Sequence, residues 1–126
     1  MKYEILEHPA DLKIRAFGKT KEEVFLNIMR GMTENLRPAA ERHGEIINQK
    51  FKVESPDLSA LLVDFLSQIL YFIQTQKIAY NNIKFDKFSD TEIEGEVEGK
   101  KVRGLGEDIK AVTHYDVLFV QKEDET

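Results

Sequence analysis

Cysteine is absent from the 126 residues, and with it go disulfide scaffolds, zinc–thiolate centres, iron–sulfur ligation and cysteine nucleophiles. The same absence is compatible with a reducing compartment. No apolar run approaches the ~18 residues a membrane span requires. At the start, Glu4 and Glu7 fall where a signal peptide would be apolar. A cytoplasmic protein without a membrane span is the expectation. A basic surplus is also missing: 18 Lys and Arg stand against 23 Asp and Glu, for a net charge of −5. Residues 1–85 carry 12 bases and 11 acids, residues 86–126 carry 6 and 12. Direct binding of nucleic acid, which draws on a basic face to displace counterions, is therefore disfavoured. The acidic last third suits a basic protein partner or a cation instead. No G-x-S-x-G, H-E-x-x-H or P-loop signature occurs.

What remains is sufficient for one domain over residues 1–126, closing on a polar tail at 122–126. Residues 3–7 read as a short strand. Residues 12–17 alternate apolar and basic before Gly18, the period of a half-buried strand. Thr20 and Glu23 match a capping box. Val24, Phe25, Ile28, Met29 and Met32 then follow at helical spacing. Pro38 ends that helix, because it disfavours a helical Arg37, and residues 39–45 read as loop. Residues 47–54 alternate as a strand. Ser55-Pro56 opens a second helix with Ser55 as N-cap. Its stripe is the strongest pattern in the chain: Leu58, Leu61, Leu62, Phe65, Leu66, Ile69, Leu70 and Ile73. At roughly 1.5–3 kcal/mol for each buried side chain, this helix anchors the core. Asn81-Asn82 breaks the pattern, and residues 83–88, 92–98, 101–103 and 109–121 read as strands. Two helices covering one face of a mixed sheet, an α+β two-layer domain, is the economical packing.

Few residues could carry chemistry. Pro9 stiffens the turn His8-Pro9-Ala10-Asp11 and lets it aim an imidazole and a carboxylate at one point, as a metal or proton site would. A strand-start Asp that accepts backbone N–H bonds is the structural alternative. Asp64 lies off the apolar stripe and reads as solvated, as does His43 in its polar loop. Alternation puts Lys110, Val112, His114 and Asp116 on one strand face, either a site or the wet side of a sheet. The four glycines between residues 95 and 106 do not read as a phosphate cradle, since Glu94, Glu96 and Glu98 would repel the anion. A small metal-dependent hydrolase built on His8, Asp11 and His114 and a plain protein-interaction module are the rival functional readings.

The H-x-A-D turn with its strand and "AFGKTKEEVFLNIMRGM", then "SPDLSALLVDFLSQILYF", then "IKAVTHY", resemble the archease family in order over about 110 residues. The resemblance implies a two-layer α+β fold with a mixed sheet. It implies a non-catalytic accessory protein that activates an RtcB-type RNA ligase of tRNA splicing by promoting its guanylylation and repeated turnover. It further implies a metal site, for calcium or another divalent hard cation, in which Asp11 joins groups near the C-terminus. The family's usual final strand is not read in residues 122–126, so the C-terminal partner of Asp11 is missing from this reading. His8, Asp11 and Lys110 are the candidates for contact with the partner. Pro9 stands where the family usually has Thr, and His114-Tyr115 reverses its common order.

Overall fold

A computed structural model describes residues 3–6, 13–40, 44–106 and 120–121. The elements in chain order are β1 (Tyr3–Leu6), β2 (Lys13–Gly18), α1 (Lys21–Asn35), β3 (Pro38–Ala40), β4 (Ile46–Glu54), α2 (Leu58–Gln76), β5 (Ile78–Phe88), β6 (Glu92–Leu105) and β7 (Val120–Gln121). They form two helices and two sheets, the α+β architecture expected. The mixed character is confined to one sheet, ordered β1-β2-β7, in which β1 is antiparallel and β7 parallel to β2. The other sheet is antiparallel throughout and centred on β6, which pairs with β3, β4 and β5.

Helix α1 starts where the sequence says it should, with the Thr20 hydroxyl accepting the Glu23 N–H at 3.1 Å. Its apolar stripe is buried: Val24, Phe25, Ile28, Met29 and Met32 are at most 5% exposed. Asn27 is buried among them, and its amide donates to the Phe17 carbonyl of β2 at 2.6 Å. The helix ends at Leu36. Arg37 then takes a positive φ of 49°, outside the right-handed helical region that Pro38 disfavours. The segment read as loop from residue 39 instead opens with β3, because Pro38–Ala40 pair with the end of β6.

Helix α2 has Asp57 as its N-cap, accepting the Ala60 N–H at 2.8 Å, which corrects the assignment of that role to Ser55. The Ser55 hydroxyl is engaged elsewhere, donating to Asp64 at 2.5 Å, while its N–H donates to the Thr91 carbonyl. Asp64 is thus exposed yet partnered. Seven of the eight stripe residues are buried, Leu58 is half-buried, and Val63 joins them. By length and composition α2 is apolar enough to cross a membrane, but in this fold it is a core helix that seats its stripe on the sheet. Five phenylalanines fill the interface: Phe65 lies 5.1 Å from Phe51 and 5.7 Å from Phe25, and Phe88 lies 5.2 Å from both Phe25 and Phe85. Tilted and edge-on rings at these separations are the favourable arrangement.

The Asn81-Asn82 break in the alternation is not a strand boundary. β5 runs through it with two bulges, one extra residue at Asn81 and another at Asp86. Side chains alternate faces along a strand, so each bulge re-phases the pattern. Tyr80, then Ile83 and Phe85, then Phe88 are thereby all turned toward the helices. In the same way residues 92–98 and 101–103 belong to one strand of 14 residues. Its Gly95 and Gly99 are not breaks: a Cβ there would lie 2.1 Å from the Lys84 carbonyl oxygen and 2.3 Å from that of Ala79. Only glycine admits so close a neighbouring strand.

Candidate functional site

His8, Asp11, Lys110 and His114, together with His43 and Asp116, lie outside the described residues. The described strands fix what flanks the first two in sequence. Leu6 and Lys13 are directly paired across β1 and β2, so six residues, 7–12, join them. On the other side of β2, Val120 and Gln121 pair with Phe17 and Gly18. The strand that begins two residues after Asp11 is therefore bordered by chain from both ends of the sequence. Among the described residues no three His, Asp or Glu side chains stand together as a metal site would require. The calcium expectation rests on Asp11 and so lies outside the described residues.

The face of the β6-centred sheet away from the helices orders charge in rows. Glu94 is paired across the strands with Lys52 and Lys87, and Glu96 with Lys50 and Lys84. The Lys52 ammonium lies 3.5 Å from Glu94 and 3.8 Å from Glu92. A hydrogen bond from Lys87 holds the Glu92 carboxyl below its ordinary range, and the same bond raises Lys87. Glu92, Glu94 and Glu96 are thus faced by lysines of β4 and β5. Exposed pairs of this kind contribute little stability individually.

A cleft of about 730 Å³ opens where the second half of α1 meets the Asn81 bulge. Its lining includes Arg30, Glu34, Asn81, Asn82 and Glu98. Two hydrogen bonds fix its walls: Arg30 Nε donates to the Asn81 carbonyl at 2.8 Å, and the buried Thr33 hydroxyl donates to the Tyr80 carbonyl at 2.7 Å. Sequence reading misses this site because its residues come from α1, β5 and β6. The only signal it leaves is the interrupted alternation at Asn81-Asn82.

Two helices on a β6-centred sheet, with β1 and β2 joined by residues 7–12 and β7 returning beside β2, define an α+β domain. The profile of the "Archease protein family (MTH1598/TM1083)" matches residues 3–126, and the chain belongs to that family. It is 35% identical over 128 residues to the protein archease of Methanosarcina barkeri, covering 95% of this chain and 86% of that one. To the archease of Thermococcus kodakarensis it is 28% identical, covering 92% and 86%. The solution structure of Methanobacterium thermoautotrophicum protein 1598 superposes with a TM-score of 0.65 at 24% identity, covering 96% of this chain and 91% of that one. That likeness shows the fold.

Proposed function

We propose that this chain is an accessory protein of an RtcB-type RNA ligase in tRNA splicing, acting in the cytoplasm and holding no reaction of its own. Its task is to promote guanylylation of the ligase and so sustain repeated turnover. The observation that carries this reading is the family match along residues 3–126, which includes the H-x-A-D motif and the IKAVTHY segment with Lys110. In this reading Asp11 presents its carboxylate from the turn stiffened by Pro9, with His8 and Lys110 as further contacts, to the ligase surface. To shift the ligase toward its guanylylation-competent state, the accessory protein must bind that state more tightly than the other.

A single-turnover guanylylation assay tests it. Wild-type chain is expected to accelerate the step, and Asp11→Ala to lose most of that acceleration while keeping its fold by circular dichroism. Equal stimulation by the two would remove Asp11 from the account, and no stimulation by either would remove the function. Repeating the assay with a chelator separates Asp11 acting through calcium or another hard cation from Asp11 acting alone.

A further inference from the structure

The two long strands that flank β6 finish their outer edges differently. β5 carries two bulges, a device that turns an edge away from further pairing. Its Tyr80 and Asn81 carbonyls are capped from α1, by the Thr33 hydroxyl and Arg30 Nε. β4 has neither protection: its nine residues run in unbroken register with β6 and include no Pro or Gly. Bonds from the Ser55 N–H to the Thr91 carbonyl and from the Lys101 N–H to the Glu45 carbonyl bracket that ladder. Bonded and unbonded residues alternate along an antiparallel pair. Ile46, Asn48, Lys50, Lys52 and Glu54 therefore turn their backbone N–H and C=O groups away from β6. Among the described residues no strand takes them up, and the Lys50 carbonyl accepts only from the neighbouring Gln49 side chain at 3.1 Å.

Side chains on both faces of this open edge are left without company. Ile46 and Tyr71 are each 62% exposed, the large apolar side chains most open to solvent among the described residues. Ile46 belongs to β4 itself. Tyr71 lies seven residues beyond Asp64, on the same face of α2. Asp64 is held by Ser55, directly after β4, so that face runs along the β4 side of the helix. On the outer face of the sheet Lys50 is exposed and makes no ion pair among the described residues. A row of N–H and C=O groups at strand spacing is matched by another polypeptide laid alongside as an added strand. A second copy of this chain fits poorly, since β4 laid antiparallel on itself over its full length sets Lys50 opposite Lys50. We propose that the outer edge of β4 receives an extended, acidic segment of a protein partner as an added strand. Acids at alternate positions meet Lys50 and Lys52 and continue the lysine–glutamate rows, while the residues between them pack on the side of Tyr71. This rests on the ligase partnership proposed above and states what kind of segment the ligase offers.

Titration with purified ligase, followed by calorimetry and by magnetic-resonance spectra of the nitrogen-labelled chain, tests the assignment. In the complex the amide protons of Asn48, Lys50 and Lys52 are expected to move downfield, as newly bonded N–H groups do. Those of Gln49 and Phe51, already bonded to β6, should move less. Lys50→Glu is expected to raise Kd about tenfold. Asn48→Pro, which removes one outward N–H and no bond to β6, should do the same. Lys84→Glu is the control: Lys84 stands across Glu96 from Lys50 and is equally exposed, but on the bulged edge of β5, so Kd should stay within about twofold. Should Asn48→Pro fail to fold, Lys50→Glu and the wild-type spectra decide. A complex that forms without the downfield shifts overturns the role of the edge and leaves the partnership standing. Equal weakening by Lys84→Glu also overturns it, since diffuse charge would then suffice. A dimer of the free chain that Asn48→Pro disperses would give the edge to a second copy and overturn the assignment as well. A ligase that does not bind the wild type overturns the partnership itself, and this role of β4 with it.

Discussion

Tyr80 is tied into its surroundings at both side chain and backbone. It is fully buried, its hydroxyl donates to the Gln76 side chain at 3.1 Å, and its carbonyl accepts from Thr33. Burial raises its phenol above the ordinary value of 10.0, because the charged phenolate is disfavoured in a poorly hydrated site. A folded value above the unfolded one means stability that is full below the ordinary value and is lost as pH rises through the folded value. In a spectrophotometric titration Tyr80 should ionise above the ordinary phenol range, and Tyr80→Phe should delete that late phase. Such single-residue properties are unevenly legible in a sequence. Thr20 is, because a cap and the N–H it accepts lie within four residues. Ser55 and Asp57 are both good caps two positions apart, and what decides between them is Asp64, nine residues on from Ser55, which takes the serine hydroxyl.

At the scale of elements, the α2 stripe was readable because helical spacing and burial coincide at Leu61, Phe65, Ile69 and Ile73. Phe65, fully buried between Phe25 and Phe51, should cost about 3–5 kcal/mol on truncation to alanine, read from denaturant unfolding. β5 was not readable as one strand, because bulges at Asn81 and Asp86 invert the alternation that a strand is recognised by. Nor was β3, whose three residues are a strand only through their partner in β6. The β5–β6 hairpin end also bears a pH dependence. The Glu92 carboxyl, held down chiefly by the Lys87 hydrogen bond, contributes stability that is present above the ordinary value and lost as pH falls through the folded one. Thermal melts from neutral to acid pH should therefore fall less steeply for Glu92→Gln than for wild type.

For the molecule as a whole, the class and the two-layer packing could be read from pattern alone, since two amphipathic helices and a set of strands have few economical arrangements. The functional surface could not. Asp11 and Lys110 were reached through resemblance, and the open edge of β4 exists only once the order of strands around β6 is set. β6 organises the larger sheet: its 14 residues are hydrogen-bonded to three other strands drawn from residues 38–88. Nothing can leave that sheet without breaking bonds to this one strand. Deuterium should accordingly enter the interior amides of β6 last, at the rate of whole-domain opening, well after the outward-facing amides of β4 have exchanged by local fraying.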